Sequence, residues 1–140
     1  MSISIQQVTP ANADLLSRVD PDVFDHTIRP ALLAACLADP LHAMFVAVDE
    51  GLVVGQVRGS VHLQPDRASD LYIDNLGTAP SHQRRGVASA MIRAMLDWGK
   101  ARGCAYAWVA TETDNDKAKG FYAAQRFTHG EIAMFSLDMD

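Results

Sequence analysis

One stretch constrains this chain more than any other: Leu76-Gly77-Thr78-Ala79-Pro80-Ser81-His82-Gln83-Arg84-Arg85-Gly86-Val87-Ala88. A strand-like run ends at Pro80, passes through a polar turn carrying Arg84 and Arg85, and opens directly into a helical pattern. From Val87 the apolar residues recur four apart, at Met91 and Met95, and Ile92 and Leu96 widen the stripe. The pattern predicts a helix over residues 87–102, with Gly103 where a C-cap glycine belongs. A helix start presents unpaired backbone N–H groups and a partial positive charge, a combination that binds phosphate. Arg84 and Arg85 add charge at the same place. Gly86 lets backbone approach an anion, and Ala88 and Ser89 leave the first turn open. A solvated turn is the plainer reading of the two arginines. A P-loop lysine followed by Ser or Thr is missing, and so is the three-glycine dinucleotide fingerprint.

The rest of the chain supplies strands for that helix to pack on. Residues 3–8 alternate weakly and predict a first strand. Thr9-Pro10 reads as the start of a short helix reaching Arg18. Residues 20–27 read as an irregular loop, and Pro30 opens a second helix that stops near Asp39-Pro40. Residues 42–49 and 52–63 form a hairpin around Glu50-Gly51. A loop over residues 64–70 leads to a strand over 71–78. Residues 105–111 predict a short strand buried on both faces. Asp114 or Thr113 caps a last helix running to about Ala124, and residues 131–138 predict a final strand. The order is β-α-α-β-β-β-α-β-α-β, an α/β arrangement with a mixed sheet and helices on both faces. With no repeat or linker, residues 1–140 read as a single domain.

Composition narrows the function classes. The chain has 140 residues, 49% hydrophobic and 21% charged, too apolar for a disordered chain. No apolar run approaches the ~20 residues of a membrane span, so no membrane partner is expected. Cys36 and Cys104 read as buried thiols of a reducing compartment. With no signal-peptide pattern at the N-terminus, the expected location is cytoplasmic. The net charge of −5 lacks the basic surface of a nucleic-acid binder. It suits a cationic or neutral small molecule, although mild acidity for solubility explains it as simply. The five histidines are scattered without metal-ligand spacing, so no metal is expected.

Gln83-Arg84-Arg85-Gly86-Val87-Ala88 resembles the Gln/Arg-x-x-Gly-x-Gly/Ala signature of GNAT-family N-acetyltransferases, and Leu76-x-Thr78-x-Pro80 resembles the segment before it. Asn115-x-x-Ala118-x-x-Phe121-Tyr122-x-x-x-Arg126-Phe127 resembles the family's second signature, with Arg126 where glycine is usual. The runs Asp74-Asn75-Leu76 and Val23-Phe24-Asp25 look most like a small branch that includes aminoglycoside 3-N-acetyltransferases. The resemblance implies the GNAT fold and acetyl-CoA as donor. It implies that the pyrophosphate lies on Gln83, Arg84, Arg85, Gly86, Val87, Ala88 and Ser89. The pantetheine arm would pair with backbone at Leu76, Gly77 and Thr78, with Asn115 bonding it from the other side and Ala118 and Tyr122 in the same signature. Tyr122 would protonate the departing thiolate; packing of the last helix is the plainer reading.

The attacking amine must lose a proton, which requires a base or a water chain. Asp74 is the leading candidate, since a carboxylate in an apolar strand is costly unless it is paired or useful. Strand alternation puts it on a face with Tyr72, Leu76 and Thr78, and puts Asn75 on the opposite face. Glu112 is the rival base. Asp25, His26 and Asn75 are the candidate acceptor-pocket residues beside Asp74 and Glu112. Asp138 and Asp140 read as a frayed acidic end. The expected reaction is direct transfer to a primary amine of a small cationic acceptor. An aminoglycoside comes first, then a polyamine, then a peptide or protein amine. A charged acyl-tRNA is disfavoured. The rival from another class is a non-catalytic acyl-CoA-binding sensing module. The resemblance also allows a homodimer through the apolar residues 133–137.

Overall fold

In the computed structural model, residues 2–140 are described. They form two compact units, Met1–Ala110 and Thr111–Asp140. The first carries a five-stranded sheet in chain order: β1 (Ile3–Gln7), β2 (His42–Asp49), β3 (Leu52–His62), β4 (Asp70–Thr78) and β5 (Tyr106–Val109). The first three junctions are antiparallel and β4–β5 is parallel, so the expected mixed sheet is present. Parallel neighbours need a long crossover; here it is helix α2 (Val87–Ala101). Helix α1 (Pro30–Ala38) starts on its proline and stops before Asp39-Pro40. Between β2 and β3, Glu50 and Gly51 have φ of 49° and 80°, the pair of left-handed residues that a type I′ hairpin demands.

Helix α2 seats its stripe on one face of the sheet. A Cβ at Gly55 would come 2.8 Å from Met91 Cε, and one at Gly59 would come 2.8 Å from Met95 Sδ. The absence of side chains at these two positions is what lets the methionines lie on β3. Met91, Ile92 and Met95 are fully buried there, as are Val57, Leu71 and Ile73 of the sheet. At the end of α2, Gly103 takes φ 85°. Its N–H donates to Lys100 O, and that of Cys104 donates to Gly99 O, a Schellman cap in the expected place.

Several local expectations need correction. Residues 9–18 form no α-helix; only a 3-10 turn over Ala13–Ser17 is present. Asn12 is the reason: its Oδ1 accepts from Thr9 N at 2.7 Å and its Nδ2 donates to Gln7 O, closing a turn where a helix would begin. The strand expected over residues 105–111 shortens to β5, an edge strand whose Tyr106 is exposed rather than buried. Cys36 and Cys104 are free thiols and only half-buried. In the second unit, helix α3 (Asp116–Ala124) is capped by Asn115, whose side chain accepts from Ala118 N at 3.0 Å, not by Asp114 or Thr113. No strand forms over residues 131–138. A strand exists only by pairing its backbone, and these residues pair with no other strand among the described residues.

Candidate active site

The decisive feature of β4 is one extra residue. Arg58 pairs with Asn75 and the next residue, Gly59, pairs with Ile73, so Asp74 is bulged out of register. A bulge bends a strand and re-aims its side chains. Cross-strand partners share a face. Ile73, opposite Gly59, therefore lies on the α2 face, together with Leu76 and Thr78 opposite Val57 and Gly55. Tyr72, Asn75 and Gly77 lie on the other face. The expected grouping of Asp74 with Tyr72, Leu76 and Thr78, opposed by Asn75, fails because simple alternation cannot cross a bulge. Asp74 itself is exposed.

The same strand has an open side. β5 pairs with β4 only over Asp70–Ile73. From Asp74 to Thr78 no strand among the described residues pairs along that edge, so the backbone of Leu76, Gly77 and Thr78 has no strand partner there. The edge runs into the basic turn. Gln83 reaches back, its Nε2 donating to Thr78 O at 3.2 Å. Next to it, His82 Nε2 meets Asp49 Oδ2 at 2.7 Å and His82 Nδ1 meets Ser81 Oγ at 2.7 Å, which moors the turn to the end of β2. Arg84 and Gly86 adopt φ of 62° and 79°. A side chain at Gly86 would meet nothing within 4 Å, so its conformation, and not crowding, calls for glycine. Arg84, Arg85 and Gly86 are exposed. Gly86 caps α2 without a side-chain bond, at the helix end where backbone N–H groups have no intrahelical partner. Left-handed residues in a turn at a helix start make an anion-binding concavity.

On the face of the sheet away from α2, polar side chains gather along β3 and β4. Gln56 is fully buried there, and its Nε2 donates to Asn75 Oδ1 and to Val23 O. Asn75 Nδ2 donates to Asp25 Oδ2 at 3.4 Å, so two of the predicted acceptor residues do meet. His26 is exposed. Farther along β4, buried Asp70 accepts from Gln64 Nε2 at 2.8 Å and from Trp108 Nε1 at 2.9 Å. The Gln64 bond, aided by Trp108, holds its carboxyl below the usual carboxylate range against the opposing effect of burial. Trp108 stacks on Tyr72 at 4.4 Å. Sequence reading missed Gln56, the Asp49–His82 tie and this Asp70 cluster. Only Gln56 carried a signal, a lone amide inside the run Val53-Val54-Gly55-Gln56-Val57.

In the second unit, Asn115 uses Oδ1 as the cap of α3, and Glu112 is exposed. Tyr122 packs edge-on against Phe121 and Phe127, and burial pushes its phenol up to about 12. It is therefore a protonated hydroxyl throughout the neutral range. Arg126 has φ 70° in the place where the family signature has glycine. Its N–H donates to Ala123 O while that of Phe127 donates to Tyr122 O, so a second Schellman cap is built on an arginine.

Residues 10–127 match the acetyltransferase (GNAT) family. The chain belongs to that family. As a GNAT member it is an acetyl-CoA-dependent N-acetyltransferase, as the two signatures imply. Among related sequences, a probable N-acetyltransferase HLS1-like of Arabidopsis thaliana is 33% identical over 54 residues, 39% of this chain and 13% of that protein. The chain thus spans a small part of that relative. An uncharacterised N-acetyltransferase of Mycobacterium tuberculosis is 30% identical over 120 residues, 81% of this chain and 70% of that one. An aminoglycoside N(6′)-acetyltransferase type 1 of Salmonella typhimurium is 26% identical over 97 residues, covering 66% of this chain and 67% of that one. Among solved structures, an aminoglycoside acetyltransferase from an uncultured soil metagenomic sample superposes with a TM-score of 0.84 at 21% identity, covering 100% of both chains. AAC(6′)-Iy in complex with a CoA-S-monomethyl-acetylneamine bisubstrate analogue gives 0.83 at 21%, again with full coverage of both. At such identity the two structures show the fold. Where these relatives' names give a position it is 6′, so the expected likeness to the 3-N branch finds no support among them.

Proposed function

We propose that this chain moves the acetyl group of acetyl-CoA to an aminoglycoside amine, at the 6′ position, by direct attack without a covalent enzyme intermediate. The observation that carries the reading is the bulged β4 with its open edge running into the basic turn. An amide-bearing arm can pair along that edge, and a pyrophosphate can settle on the N–H groups that follow Gly86. The relatives acting at 6′ supply the acceptor class. The net charge of −5 is compatible with a polycationic acceptor.

Roles follow from the residues. Gln83, Arg84, Arg85 and the start of α2 through Ser89 bind phosphate. Backbone N–H groups of residues 76–78 bond the arm and polarise the thioester carbonyl. Asp74, exposed at the bulge, takes the ammonium proton directly or through water, and the freed amine attacks the carbonyl as the C–S bond breaks. Asp25 and Asn75 bind the acceptor's other cationic groups. Glu112 is the second choice of base. Tyr122, in the second signature with Asn115 and Ala118, donates to the leaving thiolate. A phenol near 12 cannot hand its proton outright to a thiolate whose acid has a pKa of about 8–9. Its part is a hydrogen bond, with the proton drawn finally from water.

The family match spans both compact units, which supports reading residues 1–140 as one working domain. No helix among the described residues is long and apolar enough to cross a membrane, and the free thiols suit a cytoplasmic protein. Ile132, Met134, Phe135, Leu137 and Met139 are 75% to 93% exposed. Such a run marks an interaction surface, here assigned to a homodimer, and Phe135→Lys with Leu137→Lys should give monomers by light scattering.

The test is CoA release from acetyl-CoA across aminoglycosides, polyamines and peptides. Rapid release with 6′-amino aminoglycosides is expected, with Asp74→Asn lowering kcat/KM by roughly 10²–10⁴. Tight acetyl-CoA binding without release on any amine would replace this reading with a sensing module.

A further inference from the structure

Gln56 is fully buried in β3 among Val53, Val54 and Val57. Its partner across the sheet is Gly77, where a Cβ would lie 2.4 Å from Val23 O. The backbone of the segment before α1 thus rests directly on β4, with no room for a side chain between. Two contacts hold it: Gln56 Nε2 to Val23 O at 3.4 Å, and the chain Gln56 Nε2 to Asn75 Oδ1 at 2.5 Å, then Asn75 Nδ2 to Asp25 Oδ2 at 3.4 Å.

The direction of this chain is fixed by chemistry. An ionised carboxylate only accepts. Asn75 must therefore turn its NH2 to Asp25, which leaves Oδ1 for Gln56. Gln56 must in turn present its NH2, which leaves Oε1 buried without a partner. An unpaired buried carbonyl is costly, and valine at this position would avoid it. The amide is held for its donor end. The bulge at Asp74 is what places Asn75 on this face to receive it.

We infer that Gln56 is a positioning residue for the acceptor. By seating residues 23–25 on β4 and orienting Asn75, it sets where the Asp25 carboxylate meets an ammonium group of a polycationic amine. The inference rests on the proposed function, because it assumes that Asp25 faces the acceptor.

Gln56→Glu keeps the shape but removes the donor, so it cannot bond Asn75 Oδ1 or Val23 O while ionised. In steady-state CoA release, this variant should raise KM for the best aminoglycoside at least tenfold. KM for acetyl-CoA and kcat at saturating amine should stay within about twofold. Asp25→Asn should also raise the amine KM, and the double variant should be little worse than Asp25→Asn alone, since the two lie on one chain. A merely structural role would raise both KM values together or lower kcat at unchanged amine KM, and either result overturns the inference. So does full additivity of the two substitutions. Should Gln56→Glu lose acetyl-CoA binding through misfolding, Gln56→Met, which removes the donor without adding a buried charge, must show the same selective rise, and its absence overturns the inference. A wild-type protein that turns over no amine overturns the functional reading and this inference with it, whereas an active wild type with an unaffected Gln56→Glu overturns the inference alone.

Discussion

The two faces of the sheet solve the same packing problem with opposite chemistry. On the α2 face, glycine meets methionine: Gly55 and Gly59 receive Met91 and Met95, and everything between is aliphatic. On the other face, Gly77 again admits a close neighbour, but the neighbour is a backbone carbonyl, and Gln56, Asn75 and Asp25 surround it. Apolar contact is undirected and tolerates small shifts. Hydrogen bonds between buried amides do not, because each donor needs its own acceptor. The contacts of Met91 and Met95 therefore hold the fold together, and those of Gln56 and Asn75 hold a geometry.

That contrast can be broken from either side. The largest effect on stability should come from Met91→Ala, which empties a fully buried site and should cost about 2–5 kcal/mol in denaturant unfolding. Gly77→Ala should cost less, about 1–3 kcal/mol. Its methyl would still displace the Val23 carbonyl, so the amine KM should rise more than its lost stability would suggest; equal KM in variant and wild type would refute the seating of that segment.

Acidity should separate the same face further. The Asp70 carboxyl is held below the usual range, so its stabilisation is fully present above about pH 3.9 and is lost as pH falls through its lower folded value. Urea unfolding between pH 6 and pH 2 should show this loss, and Asp70→Asn should flatten it. Tyr122 works in the reverse sense: its raised pKa contributes stability below about pH 10 that is lost as pH rises through about 12.

The smallest effect concerns the two helix ends. α2 closes on Gly103 and α3 on Arg126, both left-handed. Arg126→Gly should relieve the strain and raise stability by about 0.5–1 kcal/mol in thermal unfolding, and no change would mean that the arginine is already relaxed there.

Much of the fold was legible because it is written locally. The stripe Val87, Met91, Met95 and the punctuation of Gly103 placed α2 within a residue of its observed bounds. The Glu50-Gly51 pair placed the hairpin, and Gln83 to Gly86 placed the turn that opens α2. Helix capping was read less well, since Thr113, Asp114 and Asn115 are all capable caps and only the local fold selects Asn115. Residues 9–12 misled for a similar reason: a Thr-Pro start is a fair helix signal until the side chain of Asn12 turns back on Thr9 and Gln7.

The candidate site could be named from the sequence as a set of residues but not as an arrangement. Asp25, Asp74 and Asn75 were picked by type, yet the face each occupies depends on one bulged position, and alternation counted along a single strand has no knowledge of its partner's register. Gln56 became meaningful only when Val23 was seen on top of it, a contact across 33 residues of chain. The apolar tail at residues 131–138 has a strand's composition and no strand to pair with among the described residues. The sequence by itself determined most of the elements, the hairpin turn and the family, because propensity and periodicity act over a few neighbouring residues. The register of β4, the side on which its polar groups stand and the pairing of the tail were left to tertiary structure, because a strand's partner and its offset are set by contacts between segments far apart in the chain.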